Sequence, residues 1–290
     1  MSEFLTGIET HPPTGKEQPF TLDFGNGQKA DVIELMTEAI PVNRSTDLSI
    51  ALSQIGLKGP RPILVLVGGA SGITPEDMTR LNLLFVKVLA PLAQSLGAAV
   101  VDGGTDTGIM QLMGQSRAAT GTTFPLIGVA PSGKVAIPYP HLPPTKGTAL
   151  EPHHTHFVLI PGASWGEECP WMADLATLLA DGEPSVTVLI NGGKVTWRDA
   201  EESVRAGRPV LVIAGTGRTA DELAKAIRAE AREEGLESRL SPEISSQELG
   251  EQAKNLVASG LLRVVDLTED NDVLVEVIKE MLSSTIRENL

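Results

Sequence analysis

Val100-Val101-Asp102-Gly103-Gly104-Thr105-Asp106-Thr107-Gly108-Ile109-Met110 decides how this chain of 290 residues is read. An apolar run from Ala98 to Val101 stops at an acid and two glycines, and a helical pattern (Ile109, Met110, Leu112, Met113) begins at once. That is a strand, a glycine turn and a helix N-terminus. Such a turn presents backbone N–H groups and the positive end of a helix dipole, which suit a phosphate or a carboxylate. The same device recurs at Gly68-Gly69-Ala70-Ser71-Gly72, at Asn191-Gly192-Gly193 and at Gly215-Thr216-Gly217-Arg218, each after a short β-rich run. Four such turns at the carboxyl ends of four strands can line one crevice, where open α/β sheets bind ligands.

Upstream of the opening stretch, Ile63-Leu64-Val65-Leu66-Val67 reads as a strand buried on both faces. Thr74-Pro75-Glu76-Asp77 starts a helix, with Thr as N-cap, Pro at the first helical position and acids in the first turn. Leu81, Leu84, Phe85, Val88, Leu89 and Leu92 give it one apolar face, Pro91 should bend its last turns and Gly97 ends it. Earlier still, Phe20–Phe24 and Asp31–Leu35 flank Gly25-Asn26-Gly27 and predict an edge β-hairpin. Leu48–Ile55 predicts a short helix capped near Asn43 or Ser45 and stopped by Gly56. Residues 1–18 read as a mobile arm.

Downstream, Phe124–Ala130 reads as a strand. Residues 131–152 hold six prolines and two glycines without a helical period, the mark of a functional or disordered loop. Then come a strand at Phe157–Ile160, a loop at Gly162–Gly166, a helix at Met172–Ala180 and a strand at Ser185–Ile190. A helix at Trp197–Arg205, a strand at Pro209–Ala214 and a helix at Thr219–Glu234 follow. Residues 235–247 read as a surface linker. A helix at Gln247–Ser259, a strand at Leu261–Leu267 and a helix at Val273–Ile286 close the chain. This alternation predicts an α/β, Rossmann-like fold: a mostly parallel sheet with helices on both faces, plus the N-terminal hairpin. The expected organisation is an arm at 1–18 and one domain at 19–290, with a hairpin extension at 19–58, a core at 60–234 and a C-terminal helix-strand-helix at 247–290.

Composition narrows the function class. Net charge is −14, which argues against a nucleic-acid or anionic-lipid surface. The apolar runs are of strand length, too short to span a bilayer. Met1-Ser2-Glu3-Phe4 lacks the basic and apolar regions of a signal peptide. The single cysteine, Cys169, excludes an intrachain disulfide and fits a reducing, cytoplasmic compartment.

The order of motifs is more specific than any one of them. Strand–Gly-Gly-Ala, helix, strand–Gly-Gly-Thr-Asp-Thr-Gly-Ile-Met, Ile-Gly-Val-Ala, His-His-Thr-His-Phe-Val-Leu, strand–Asn-Gly-Gly and strand–Gly-Thr-Gly-Arg-Thr-Ala-Asp follow one another. Over about residues 60–230 this order resembles the cytoplasmic N-terminal ligand-sensing region of TRPM cation channels. It is most similar to the stand-alone prokaryotic SLOG domain of the LSDAT type. The resemblance implies a Rossmannoid sensor of a nucleotide-derived small molecule, such as ADP-ribose or a cyclic ADP-ribose-like signal. It implies no required cofactor and a tendency to self-associate as a homo-oligomer. Carried onto this chain, the ligand loops are Gly68, Gly69 and Ala70; Gly103, Gly104, Thr105, Thr107 and Gly108; Asn191, Gly192, Gly193 and Thr196; and Gly215, Thr216, Gly217 and Arg218.

A second resemblance implies an enzyme. Lonely Guy phosphoribohydrolases, which release a base from a nucleoside monophosphate, carry Pro-Gly-Gly-x-Gly-Thr-x-x-Glu. The matching stretch is Asn191-Gly192-Gly193-Lys194-Val195-Thr196-Trp197-Arg198-Asp199. Gly192, Gly193 and Thr196 match. Asn191 replaces the Pro, Val195 the third Gly and Asp199 the Glu, so the alternative is an N-glycosidase with Asp199 as its acid.

Other candidates have plainer readings. Thr105 and Thr107 can bond phosphate or ribose oxygens, or cap the helix. Asp106 reads as a cap or a ribose contact. Arg218 at a helix start can clamp a phosphate or cover the helix edge. His153, His154 and His156 lack a tetrahedral ligand pattern, so a structural or ligand-contacting role is preferred to a metal. Trp165 and Trp171 offer stacking faces, although packing is the simpler role. Cys169 beside Glu167 and Glu168 lacks the electropositive setting of a nucleophile.

Overall fold

A computed structural model describes residues 19–25, 27–35, 44–138, 146–233 and 250–284. The arm at 1–18, the turn residue Asn26, the cap residue Asn43, the linker at 235–247 and the end of the last helix lie outside these residues. In chain order the elements are β1 (Phe20–Asp23), β2 (Lys29–Glu34), α1 (Arg44–Gln54), β3 (Ile63–Gly68), α2 (Pro75–Leu83), α3 (Ala90–Leu96) and β4 (Ala99–Asp102). There follow α4 (Gly108–Thr120), β5 (Leu126–Pro131), β6 (Val135–Ala136), β7 (Thr148–Ala149), β8 (His156–Ile160), α5 (Cys169–Ala180) and β9 (Ser185–Ile190). The chain continues through α6 (Lys194–Arg205), β10 (Val210–Ala214), α7 (Arg218–Glu233), α8 (Glu251–Val257), β11 (Leu262–Asp266) and α9 (Asn271–Ser284).

The fold follows from period-two burial on the central strands. In β3, Ile63, Val65 and Val67 enter one apolar layer, while Leu64 and Leu66 enter the other. In β10, Val210, Val212 and Ala214 face the first layer, and Leu211 and Ile213 the second. A sheet apolar on both faces must be covered on both. Side chains of α1, α5, α6, α7 and α8 fill the first layer, and those of α2, α3, α4 and α9 fill the second.

The sheet has nine strands in the order β1-β2-β8-β5-β4-β3-β9-β10-β11, parallel throughout except for the β1–β2 hairpin at one edge. From β3 the chain winds outward through β4, β5 and β8. It then returns to the other side of β3 and winds outward through β9, β10 and β11. The switch of direction beside β3 opens a crevice at the carboxyl ends of the strands.

Thr74 is the N-cap of α2, its Oγ1 accepting from the Asp77 N–H at 3.1 Å, with Pro75 next. Ser45, in contrast, lies inside the first turn of α1. The expected bend at Pro91 takes a different form. Between α2 and α3, Leu84–Leu89 is a π-helical turn, and the Ala90 N–H reaches back to the Phe85 carbonyl. Proline supplies no N–H and crowds the preceding turn, so a widened turn just before it keeps the helix running.

Residues 139–145 of the expected loop at 131–152 lie outside the described residues, and the described part carries paired backbone. β6 and β7 pair in parallel, and the chain after β7 is laced to the turn after β4. The Asp106 N–H donates to the Ala149 carbonyl at 2.8 Å and the Glu151 N–H to the Gly104 carbonyl at 3.0 Å. Backbone pairing thus supplies the order that the proline-rich composition conceals.

Candidate functional site

β4, β3, β9 and β10 are four consecutive neighbours in the sheet, so their glycine turns share one edge. The turns also touch. A methyl group added at Gly108 would stand 3.4 Å from the Ala70 nitrogen, and one at Gly69 would stand 3.6 Å from Asn191 Oδ1. Gly104 has φ 67°, and a side chain there would meet Gly128 Cα at 2.8 Å and the Phe157 ring at 2.9 Å. Glycine at 104 is therefore set both by the left-handed backbone and by close approach. A side chain at Gly68 would collide with the Ile190 carbonyl, which draws β3 and β9 together at their ends.

Between these turns and the starts of α5 and α6 lies a cavity of about 300 Å³. Of the residues singled out in the sequence, Gly68, Gly103, Thr105, Thr107, Thr196 and Asp199 line it. Leu66, Val67, Met110, Met172 and Val195 give it an apolar wall, and Thr148, Trp165 and Glu168 complete it. Trp165 is 40% exposed at the rim, with the Lys134 ammonium 5.9 Å from its ring centre. Trp171 instead packs against the core. Glu168, Met172 and Thr148 had no motif to announce them; only the fold brings them here.

Two carboxyl groups face this cavity. Burial raises the Glu168 carboxyl above its usual range, and Glu168 Oε2 accepts from the Gly166 N–H at 2.7 Å. Burial pushes Asp199 up to about 7, against the Cys169 thiol and the Arg198 charge that favour its ionised form. Burial also pushes the Cys169 thiol up, with Asp199 and Glu168 adding to the effect, so this cysteine stays a thiol.

The other turn residues serve the frame. The Asn191 N–H donates to Thr216 Oγ1 at 2.8 Å, and its side-chain amide donates to the Thr216 carbonyl at 2.5 Å and the Ser71 carbonyl at 3.2 Å. One side chain thus ties together the turns after β3, β9 and β10. The Gly193 N–H donates to Thr196 Oγ1 at 3.1 Å, and Gly192 lies against the same side chain. The Gly215 N–H is held by Asp221 at 2.7 Å, and Gly217 packs near the Asn191 amide. Arg218 opens α7 with a left-handed φ of 55°, and a methyl group added at Gly193 would stand 2.8 Å from its Nη2. The guanidinium therefore lies over the start of α6. The β10 turn stands beside the cavity rather than in its wall.

The turn after β4 is held from beneath by a buried charge cluster. The His154 ring bridges Asp102 Oδ1 at 2.9 Å and Glu151 Oε2 at 2.8 Å. Asp102 Oδ1 also accepts from the Gly104 N–H at 2.7 Å. His153 bonds the second Glu151 oxygen through Nδ1 at 2.5 Å. Burial alone would lower the His154 pKa, but the Asp102 and Glu151 carboxylates outweigh it and hold it at about 9. Burial would raise Glu151, yet the two histidines hold it below the usual carboxylate range. His154 is thus a structural imidazolium. Asp106 accepts from the Gln111 side chain at 3.0 Å, and Thr105 and Thr107 hydroxyls pair at 3.1 Å. Thr107 precedes α4 without a side-chain capping bond, which leaves its hydroxyl at the cavity wall.

The Rossmann-like sheet, with a crevice at its switch point and glycine turns beside a small cavity, is the frame of a TRPM-like sensing domain of the SLOG type. The chain belongs to the family described as SLOG in TRPM, prokaryote, whose profile matches residues 61–275. Among curated relatives, it is 24% identical over 259 residues to transient receptor potential cation channel subfamily M member 2 of Mus musculus, covering 76% of this chain and 17% of the channel. Member 6 of Homo sapiens is 23% identical over 247 residues, covering 75% of this chain and 12% of the channel. Member-like 2 of Nematostella vectensis is 25% identical over 210 residues, covering 60% and 13%. The chain thus spans under a fifth of the length of these relatives, and among the described residues no helix is long and apolar enough to cross a membrane.

Proposed function

We propose that this domain senses a nucleotide-derived small molecule, ADP-ribose or a cyclic ADP-ribose-like compound. The observation that carries the reading is the strand order β4-β3-β9-β10, which gathers four glycine turns on one edge, with a cavity beside the turns after β3 and β4 and the start of α6. The N-terminal ends of α4 and α6 at this edge suit phosphate oxygens, although the Gly104, Asp106 and Gly193 N–H groups are held within the frame, and Arg218 over Gly193 adds a cation. Family membership supports the same reading. The test is a thermal-shift series with ADP-ribose, its cyclic isomers, NAD and AMP, with mass spectrometry of each mixture afterwards. Stabilisation with the ligand intact is the expected result; no stabilisation by any nucleotide contradicts it.

One observation favours a second reading. Asp199, at the position of the Lonely Guy glutamate, lines the cavity with a pKa near 7, suited to proton transfer. The rival function is an N-glycosidase that releases a base from a nucleotide. The same mass spectra decide it: free base and ribose phosphate would establish turnover, and intact nucleotide excludes it.

A further inference from the structure

The cavity has a charge balance opposite to that of a phosphate pocket. Two carboxyl side chains, Glu168 and Asp199, line it, and no lysine, arginine or histidine does so among the described residues. Asp199 is only 7% exposed, and its Oδ1 is buried without a hydrogen-bond partner among the described residues. A buried carboxyl oxygen left unpaired is costly, and an incoming N–H donor removes that cost. A phosphate placed here would face two acids, and the one cationic charge acting on them, Arg198, stands outside the lining. The remaining wall, with Leu66, Met110, Met172 and Val195, suits the apolar faces of a flat ring.

We propose that the cavity seats an amino-bearing nitrogen heterocycle, its N–H edge bonded by the Asp199 and Glu168 carboxyls, while the anionic part of the same ligand stays outside at the glycine turns. This rests on the nucleotide reading above and fixes which end of the molecule enters. The groups around the Asp199 carboxyl are Glu168 and Cys169 from the start of α5, and Arg198 and Glu202 from its own helix. An N–H donor favours the ionised carboxylate, so binding expels a proton. Affinity for the amino compound therefore rises as pH passes upward through about 7.

Calorimetry on the full chain tests this with two matched pairs: adenosine against inosine, and ADP-ribose against its hypoxanthine counterpart. The amino member of each pair should bind about tenfold more tightly or better, since the oxo group turns an acceptor toward the carboxyls. Asp199→Asn should abolish most of that preference and flatten the rise in affinity between about pH 6 and about pH 8. Glu168→Gln, at the cavity wall, should weaken the preference in the same direction. Equal binding of both members of each pair overturns this inference and leaves the nucleotide reading standing. A preference unchanged in both variants also overturns it. Binding of none of the four compounds overturns this inference, and overturns the nucleotide reading as well where no nucleotide of the thermal-shift series stabilises the protein.

Discussion

His154 Nε2 stands 2.9 Å from Asp102 Oδ1, although 52 residues separate them. The ring links the end of β4 to the turn before β8 and closes on Glu151 at its other nitrogen. Because Asp102 also holds the Gly104 N–H, this one ring sets the path of the turn after β4.

Replacing His154 with Ala should therefore destabilise the fold by about 3–5 kcal/mol, the typical cost of removing one partner from a buried charged cluster. The pH profile carries the same signature. A histidine raised to about 9 contributes stability that is fully present below its ordinary value near 6.5 and is lost as pH rises through about 9. Glu151, held below its ordinary value, contributes stability that is lost as pH falls below the usual carboxylate range. Urea denaturation across pH should show a plateau that declines on both sides. In the His154→Ala protein the alkaline decline should be smaller, the raised Asp199 and Cys169 groups keeping their own share.

Gly114 lies inside α4, where a glycine normally weakens a helix by about 1 kcal/mol relative to alanine. Here the Glu151 carboxylate occupies the space a methyl group would take. Gly114→Ala should thus destabilise, by about 1–3 kcal/mol, despite its better helix propensity. Combined with Glu151→Ala, the alanine at 114 should cost far less than it does alone, which a double-mutant cycle measures.

Asn191 tests the tie between turns. Its φ is 56°, and its side chain bonds Ser71 and Thr216. Asn191→Gly keeps the backbone conformation and removes the tie, at an expected loss of about 1–2 kcal/mol. Asn191→Ala adds strain from the positive φ, so its melting temperature should be the lower of the two.

Arg218 is the cation of the proposed phosphate site. Arg218→Ala should weaken ADP-ribose binding about tenfold, and Arg218→Lys should recover only part, because a point charge does not replace a planar fork of donors. Titration calorimetry at two salt concentrations checks both. The loss should shrink at high salt, where screening weakens the charge in either case.

Most of the frame was legible in local sequence. Apolar runs ending in glycine marked β3, β4, β9 and β10, and Thr74-Pro75 marked the start of α2, because each signal lies within a few residues. The cavity was half legible. Gly68, Gly103, Thr105, Thr107, Thr196 and Asp199 belong to glycine motifs, whereas Glu168 reads as an acidic loop residue until α5 packs it beside Asp199. The turn residues Asn191, Thr216 and Gly215 carried a ligand-like pattern, and the structure shows the Asn191 backbone and amide N–H groups, the Thr216 hydroxyl and the Gly215 N–H bonded within the frame. The cluster of Asp102, Glu151 and His154 was not legible, since sequence spacing says nothing about a contact across a sheet. The π-helical turn was equally hidden, because Leu84, Phe85 and Val88 fit an ordinary helical face.

The most direct measurement is a crystal structure of the full chain grown with ADP-ribose. The account predicts electron density for the intact molecule across the carboxyl ends of β3, β4 and β9, with phosphate oxygens at the turn of residues 103–108 and the start of α6. Density elsewhere on the surface, or a cavity still empty at saturating ligand, would contradict it.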